Sequence, residues 1–144
     1  MVDIPHEKFD FVRHTARLRE VVRHNNATAG RKESVAEHSW HLAMTSWILH
    51  RDFERESGHR LDLARMLKMC LMHDLVEIDA GDPSAWDGEG KADKARIEEE
   101  AARRRFADLP DGLGDELLAL WHEYEAGPPL RPGWCVAWTG STRR

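Results

Sequence analysis

The spacing of its apolar residues constrains this chain most: it recurs at helical intervals over most of the length and nowhere alternates for long. Phe11, Val12, Leu18, Val21 and Val22 lie at roughly helical spacing between Phe9 and Val22. "HNNATAGRKES", His24 to Ser34, is rich in turn residues and is predicted to be a loop. Ser34 stands three residues before Glu37, the pattern of a capping box. A helix is therefore predicted from Val35 to Phe53, with Leu42, Trp47, Ile48 and Leu49 on its apolar side. After "ESGHR", the next predicted helix runs from Asp62 to Ile78. "AGDPSAWDGEG", Ala80 to Gly90, is a second predicted loop. Lys91 to Phe106 reads as a charged helix whose thin apolar content is Ala95, Ile97, Ala101, Ala102 and Phe106. "DLPDGLG" breaks it, and Asp115 to Ala126 is the last predicted helix. The expected fold class is all-α.

At 144 residues the chain suits one domain with one core. The helical reading covers residues 1–127, while 128–144 form a tail with three prolines, two tryptophans and no helical period. A net charge of −5 argues against nucleic acid as a partner. No apolar run approaches the roughly 18 residues of a membrane-spanning helix. The start, "MVDIPHEKFDFVRH", carries charge where a secretory signal has an apolar core, so the expected location is cytoplasmic. Cys70 and Cys135 have no zinc-ligand spacing, and Cys70, inside an apolar run, is expected to be a core thiol.

That apolar run ends in "KMCLMHDLVEIDAGD", which seats His73 and Asp74 together and follows them with Glu77, Asp79 and Asp82. In a chain with nine histidines a lone His-Asp dipeptide means little. Its position raises its weight, because a charge at the end of an apolar segment is partly buried and needs a partner or a metal. His38, near the start of another helix in "ESVAEHSWHLAM", could meet His73 in a bundle core. Imidazole and carboxylate together suit Mn, Fe, Co, Ni, Zn or, less well, Mg. Glu77, three residues after Asp74, shares its face and could hold or deprotonate a water. His41, one turn after His38, could be a further ligand, but the favoured expectation places it on a helix flank.

The two segments together resemble the HD-domain metal-dependent phosphohydrolases, in the branch of small bacterial hydrolases related to 5′-deoxynucleotidases. The resemblance runs over most of Phe11 to Ala126 and rests on "AEHSWHLAM" and "HDLVEIDAGD" in order and spacing. It implies an HD-type helical bundle, usually a homodimer, holding one divalent metal ion and acting on a small phosphorylated substrate. It places metal ligands at His38, His73 and Asp74, the catalytic carboxylate at Glu77 and a second active-site acid at Asp82. The phosphate-holding arginine of the nucleotidases falls on Arg23 or, given a loop of variable length, on Arg31. Deoxyribose-selective relatives place a tryptophan after that arginine, whereas here Arg23 is followed by His24.

The family's metal set ends with an aspartate on a late helix, and no aspartate follows Asp115 in this chain. The genetic code offers a reason. Read from the third base of each codon, "GWCVAWTGST" admits "LVRGLDRLD"; the valine is forced by Trp134-Cys135 and the aspartate by Trp138-Thr139. The expectation is a frameshifted tail. Two rival readings follow from other classes: a non-catalytic homodimeric binding protein or inactive remnant, and a hemerythrin-like di-iron bundle. The second needs more paired His and Glu ligands than the sequence offers.

Overall fold

The computed structural model describes residues 3–80 and 91–127. The loop from 81 to 90 and the tail from 128 to 144, with the frameshift expectation attached to it, lie outside the described residues. The elements in order are α1 (His6–Thr15), a 3₁₀ turn (Ala16–Arg19), β1 (Val22–Thr28), β2 (Arg31–Ser34), α2 (Val35–Ser57), α3 (Leu63–Met72), α4 (Glu77–Ala80), α5 (Lys91–Ala107) and α6 (Leu113–Ala126). The fold is mostly helical, as expected. Among the described residues no helix is long and apolar enough to cross a membrane.

A small antiparallel hairpin stands where the turn residues predict a loop. β1 and β2 pair Val22 with Ser34, Asn26 with Lys32 and Thr28 with Arg31, with irregularities between these pairs. β1 is exposed almost throughout, so neither face is apolar and no alternation marks it. The helix expected to reach Val22 stops at Thr15 and tightens into the 3₁₀ turn before the hairpin begins.

α2 begins where its capping box demands. Ser34 Oγ accepts the Glu37 N–H at 3.2 Å, and the Ser34 N–H donates to the Glu37 carboxylate at 2.9 Å. It ends at Gly58, whose φ of +71° is the left-handed conformation that glycine adopts without strain. The buried positions of α2 are Val35, Ser39, Leu42, Ser46 and Phe53. Leu42 is thus inside, but Trp47 and Ile48 point away from this face and are 57% and 69% exposed.

The helix predicted from Asp62 to Ile78 is two. Asp62 caps α3 by accepting the Arg65 N–H at 3.0 Å. Beyond Met72 the hydrogen bonds shorten to i→i+3: Leu75 to Met72, Glu77 to Asp74 and Ile78 to Leu75. This tightened stretch carries His73 and Asp74 and leads into α4. The core is built from Leu18, Val35, Cys70, Val76, Phe106 and Trp121, among others. Cys70 is 1% exposed, the core thiol expected, and lies 3.3 Å from the Ser46 hydroxyl. α5 contributes Ala101, Ala102 and Phe106 to this core, so its thin apolar content is its packing face.

Candidate metal centre

Three potential ligands converge from two elements. His38 stands in the first turns of α2, while His73 and Asp74 sit where α3 tightens. Their ligand atoms all lie within 4.8 Å of one another. His73 Nε2 is 3.0 Å from Asp74 Oδ2. The rings of His38 and His73 meet edge to face with centroids 5.7 Å apart. Buried helix ends hold the group in place: the His73 side chain is 1% exposed, with the His38 and Asp74 side chains at 12% and 13%.

Hydrogen bonding orients the donors. His73 Nδ1 lies 2.9 Å from the Cys70 carbonyl oxygen. A carbonyl only accepts, so Nδ1 donates a hydrogen to it, and the bond turns Nε2 toward Asp74. Burial, with the charge of Arg23, lowers the pKa of His38 to about 4, so His38 is neutral near pH 7. Burial alone would raise the pKa of Asp74, but His73 and then Arg23 outweigh it and lower it. Neutral imidazole and ionised carboxylate are the states that metal ligation requires. The trio therefore fits a divalent ion with mixed N/O ligands.

The two arginine candidates separate. Arg23, on β1, donates from Nη1 to Asp74 Oδ2 at 3.1 Å and brings Nε to 3.6 Å of Glu33 Oε2. Arg31 instead forks onto Glu37 with contacts of 2.9 and 2.6 Å, reinforcing the α2 cap. The hairpin decides this, because it turns Arg23 toward α3 and Arg31 toward the start of α2. Glu77 opens α4 and is 6% exposed. Its N–H bonds to the Asp74 carbonyl at 3.0 Å, and residues three apart in such a tight turn project to the same side. Asp82 lies outside the described residues. His41 is exposed and is not one of the residues that converge as potential ligands.

Two neighbours carry no signal in the sequence. Glu33, on β2, places Oε2 3.8 Å from His38 Nδ1, between that ring and Arg23. Tyr124, on α6, packs its ring on His73 with centroids 4.7 Å apart. Burial, then the charge of Asp74, pushes its phenol far above its ordinary pKa. Glu33 falls in the segment whose composition predicts a loop, and Tyr124 stands far along the chain from His73 with no local pattern to join them.

Comparison with known proteins agrees with this geometry. Residues 15–130 match the family model described as "HD domain". The 5′-deoxynucleotidase HDDC2 of Homo sapiens is 36% identical over 95 residues, 66% of this chain and 43% of that protein. A 5′-deoxynucleotidase of Citrobacter koseri is 28% identical over 118 residues, 79% of this chain and 59% of that protein. A solved structure, described as a predicted metal-dependent phosphohydrolase from Magnetospirillum magnetotacticum MS-1, superposes with a TM-score of 0.73 at 36% identity. It covers 85% of this chain and 60% of that one. The chain thus spans less than two thirds of each of these relatives. With the family match over most of its length and His38, His73 and Asp74 gathered at one point, this chain belongs to the HD-domain family.

Proposed function

We propose that this chain is a metal-dependent phosphohydrolase acting on nucleoside 5′-monophosphates or similar small phosphate esters. The observation that carries this reading is the meeting of His38, His73 and Asp74 with Arg23 on the Asp74 carboxylate. The trio would hold one divalent ion, which when bound polarises a phosphoryl oxygen and acidifies a water. Arg23 is the group that would receive the phosphate. Its guanidinium already sits beside the trio, and a phosphate can take both of its N–H edges. Glu77 would orient the attacking water and take its proton, and Asp82 would be the second acid. The leaving group is the nucleoside, whose 5′ oxygen regains a proton as inorganic phosphate departs. His24 follows Arg23, so discrimination between ribose and deoxyribose is left to the assay. The same reading takes the working form as a homodimer, with exposed Trp40, Trp47 and Ile48 on α2 as apolar surface for a second copy.

A panel of ribo- and deoxyribonucleoside monophosphates, assayed with Mn²⁺, Co²⁺ and Mg²⁺, tests it. Phosphate release is expected from the wild-type chain and should disappear in Glu77→Ala. Binding of nucleotide without release under every metal would instead support the non-catalytic reading.

A further inference from the structure

α4 carries Glu77 and Asp79 two residues apart, about 200° around a helix and so on opposite faces. Four residues do not hold a helical turn by themselves. What fixes α4 therefore comes from outside it. Arg105, on α5, donates Nε and Nη2 to the two Asp79 oxygens at 2.9 and 2.8 Å, a bidentate fork. His14, on α1, brings Nε2 to 3.5 Å from Asp79 Oδ2. The side chains of His14 and Asp79 are each 13% exposed. One carboxylate thus joins α4 to α5, with His14 of α1 packed beside it. Backbone bonds from Glu77, Ile78, Asp79 and Ala80 tie α4 to the turn before it, and Ile78 and Ala80 pack, partly buried, against the core. Apolar contacts limit how far α4 stands from the core but resist rotation weakly, whereas a planar fork fixes both distance and angle.

We propose that Asp79, Arg105 and His14 form a positioning clamp that holds α4 in the rotation aiming Glu77 at the His38–His73–Asp74 cluster. The clamp's catalytic meaning rests on the proposed role of Glu77 as the group that orients the water. The Asp79 carboxylate is engaged by Arg105 and His14 rather than by the three ligands, so it acts on the site through the backbone of α4. Its charge is secure: burial would raise its pKa, but the Arg105 fork and charge outweigh this and lower it. Burial and then Arg105 lower the pKa of His14, so near neutral pH the charged pair of the clamp is Arg105–Asp79, with His14 packed neutral against it.

The test uses the full chain with Mn²⁺ and the variants Asp79→Asn, Arg105→Gln, their double and Asp79→Glu. Each single variant is expected to lose about 10–100-fold in kcat, the scale of a misplaced catalytic group, with KM and Mn²⁺ affinity within about twofold. The double should be no worse than the worse single, because both remove one fork. Asp79→Glu, which keeps the charge, should recover part of the loss. Amide hydrogen exchange over residues 74–80 should speed up in the singles while α2 and α3 stay protected. Unchanged kcat, losses that add in the double, or Mn²⁺ affinity falling in parallel with kcat would overturn the clamp. Should the wild-type chain release no phosphate, the proposed function fails separately and exchange decides the clamp: faster exchange confined to 74–80 supports it, and unchanged exchange overturns it.

Discussion

His73 gives its Nδ1 hydrogen to the carbonyl of Cys70 at 2.9 Å, and this bond leaves Nε2 to face Asp74 Oδ2 at 3.0 Å. A backbone oxygen in the last turn of α3 thereby fixes the orientation of a buried ring. Asp74 is the anion that balances Arg23 and, in the proposed function, a metal ligand. Asp74→Asn keeps the shape and removes the charge. Even outer-shell changes cost about 10–100-fold in metal affinity, so this variant is expected to lose at least that for Mn²⁺. Isothermal titration of the metal-free chain measures it, and wild-type affinity in the variant would remove Asp74 from the ligand set.

A pH dependence follows from His14, which faces Asp79, Arg105 and Arg17. Burial and then Arg105 lower its pKa from 6.5, with Asp79 opposing. As pH falls below 6.5 the unfolded chain takes up this proton first, so unfolding gains protons and stability falls with pH. The contribution is complete above pH 6.5 and is lost as pH drops toward the folded value. Asp79, also lowered, adds a second loss below pH 3.8. The urea midpoint of the metal-free chain should therefore fall between about pH 7 and about pH 5, and fall less in His14→Gln. Identical slopes in the two proteins would show that another group carries the effect.

Gly114 lies in the first turn of α6, where it passes over the end of α5. A Cβ there would land on the Phe106 carbonyl oxygen, with Phe106 C at 3.1 Å and Leu109 O at 3.5 Å. All three are backbone atoms, so no rotamer change relieves the clash. In an open helix Gly→Ala stabilises by about 1 kcal/mol. At this position Gly114→Ala is expected to destabilise by about 1–3 kcal/mol, the cost of overpacking. Equilibrium urea denaturation reads the sign directly, and a more stable variant would mean that the two helices do not approach this closely.

The shifted reading of the tail makes its own prediction. A gene restored so that "LVRGLDRLD" follows α6 should yield a protein that binds Mn²⁺ more tightly than the 144-residue chain, by about tenfold or more. It should also release phosphate faster. Metal titration of both proteins is the measurement. Equal affinities would mean that the added aspartate is not a ligand or that another group already fills its place.

What is legible in the sequence is local. The start of α2 can be read because Ser34 and Glu37 satisfy each other within one turn, whatever the rest of the chain does. The pairing of His73 with Asp74, the burial of Cys70 and the packing face of α5 are likewise written in neighbouring residues. His38 is a candidate because it lies near the start of another predicted helix, and the family resemblance singles it out. Tertiary structure decides the rest. The hairpin exists although its strands lack an apolar face, held between the 3₁₀ turn and α2, with the Val35 N–H bonded to the Val21 carbonyl at 2.9 Å. That hairpin puts Arg23 on Asp74 and sends Arg31 to Glu37, a choice that counting along the chain leaves open. The break between α3 and α4 has no proline or glycine to announce it, and the ties from α1 and α5 converge on Asp79 just beyond it. Tyr124 and Glu33 reach the site from α6 and β2 for the same reason. Spacing within a helix sets which residues share a face, but which faces meet depends on how separate elements pack, and that information is spread over the whole chain.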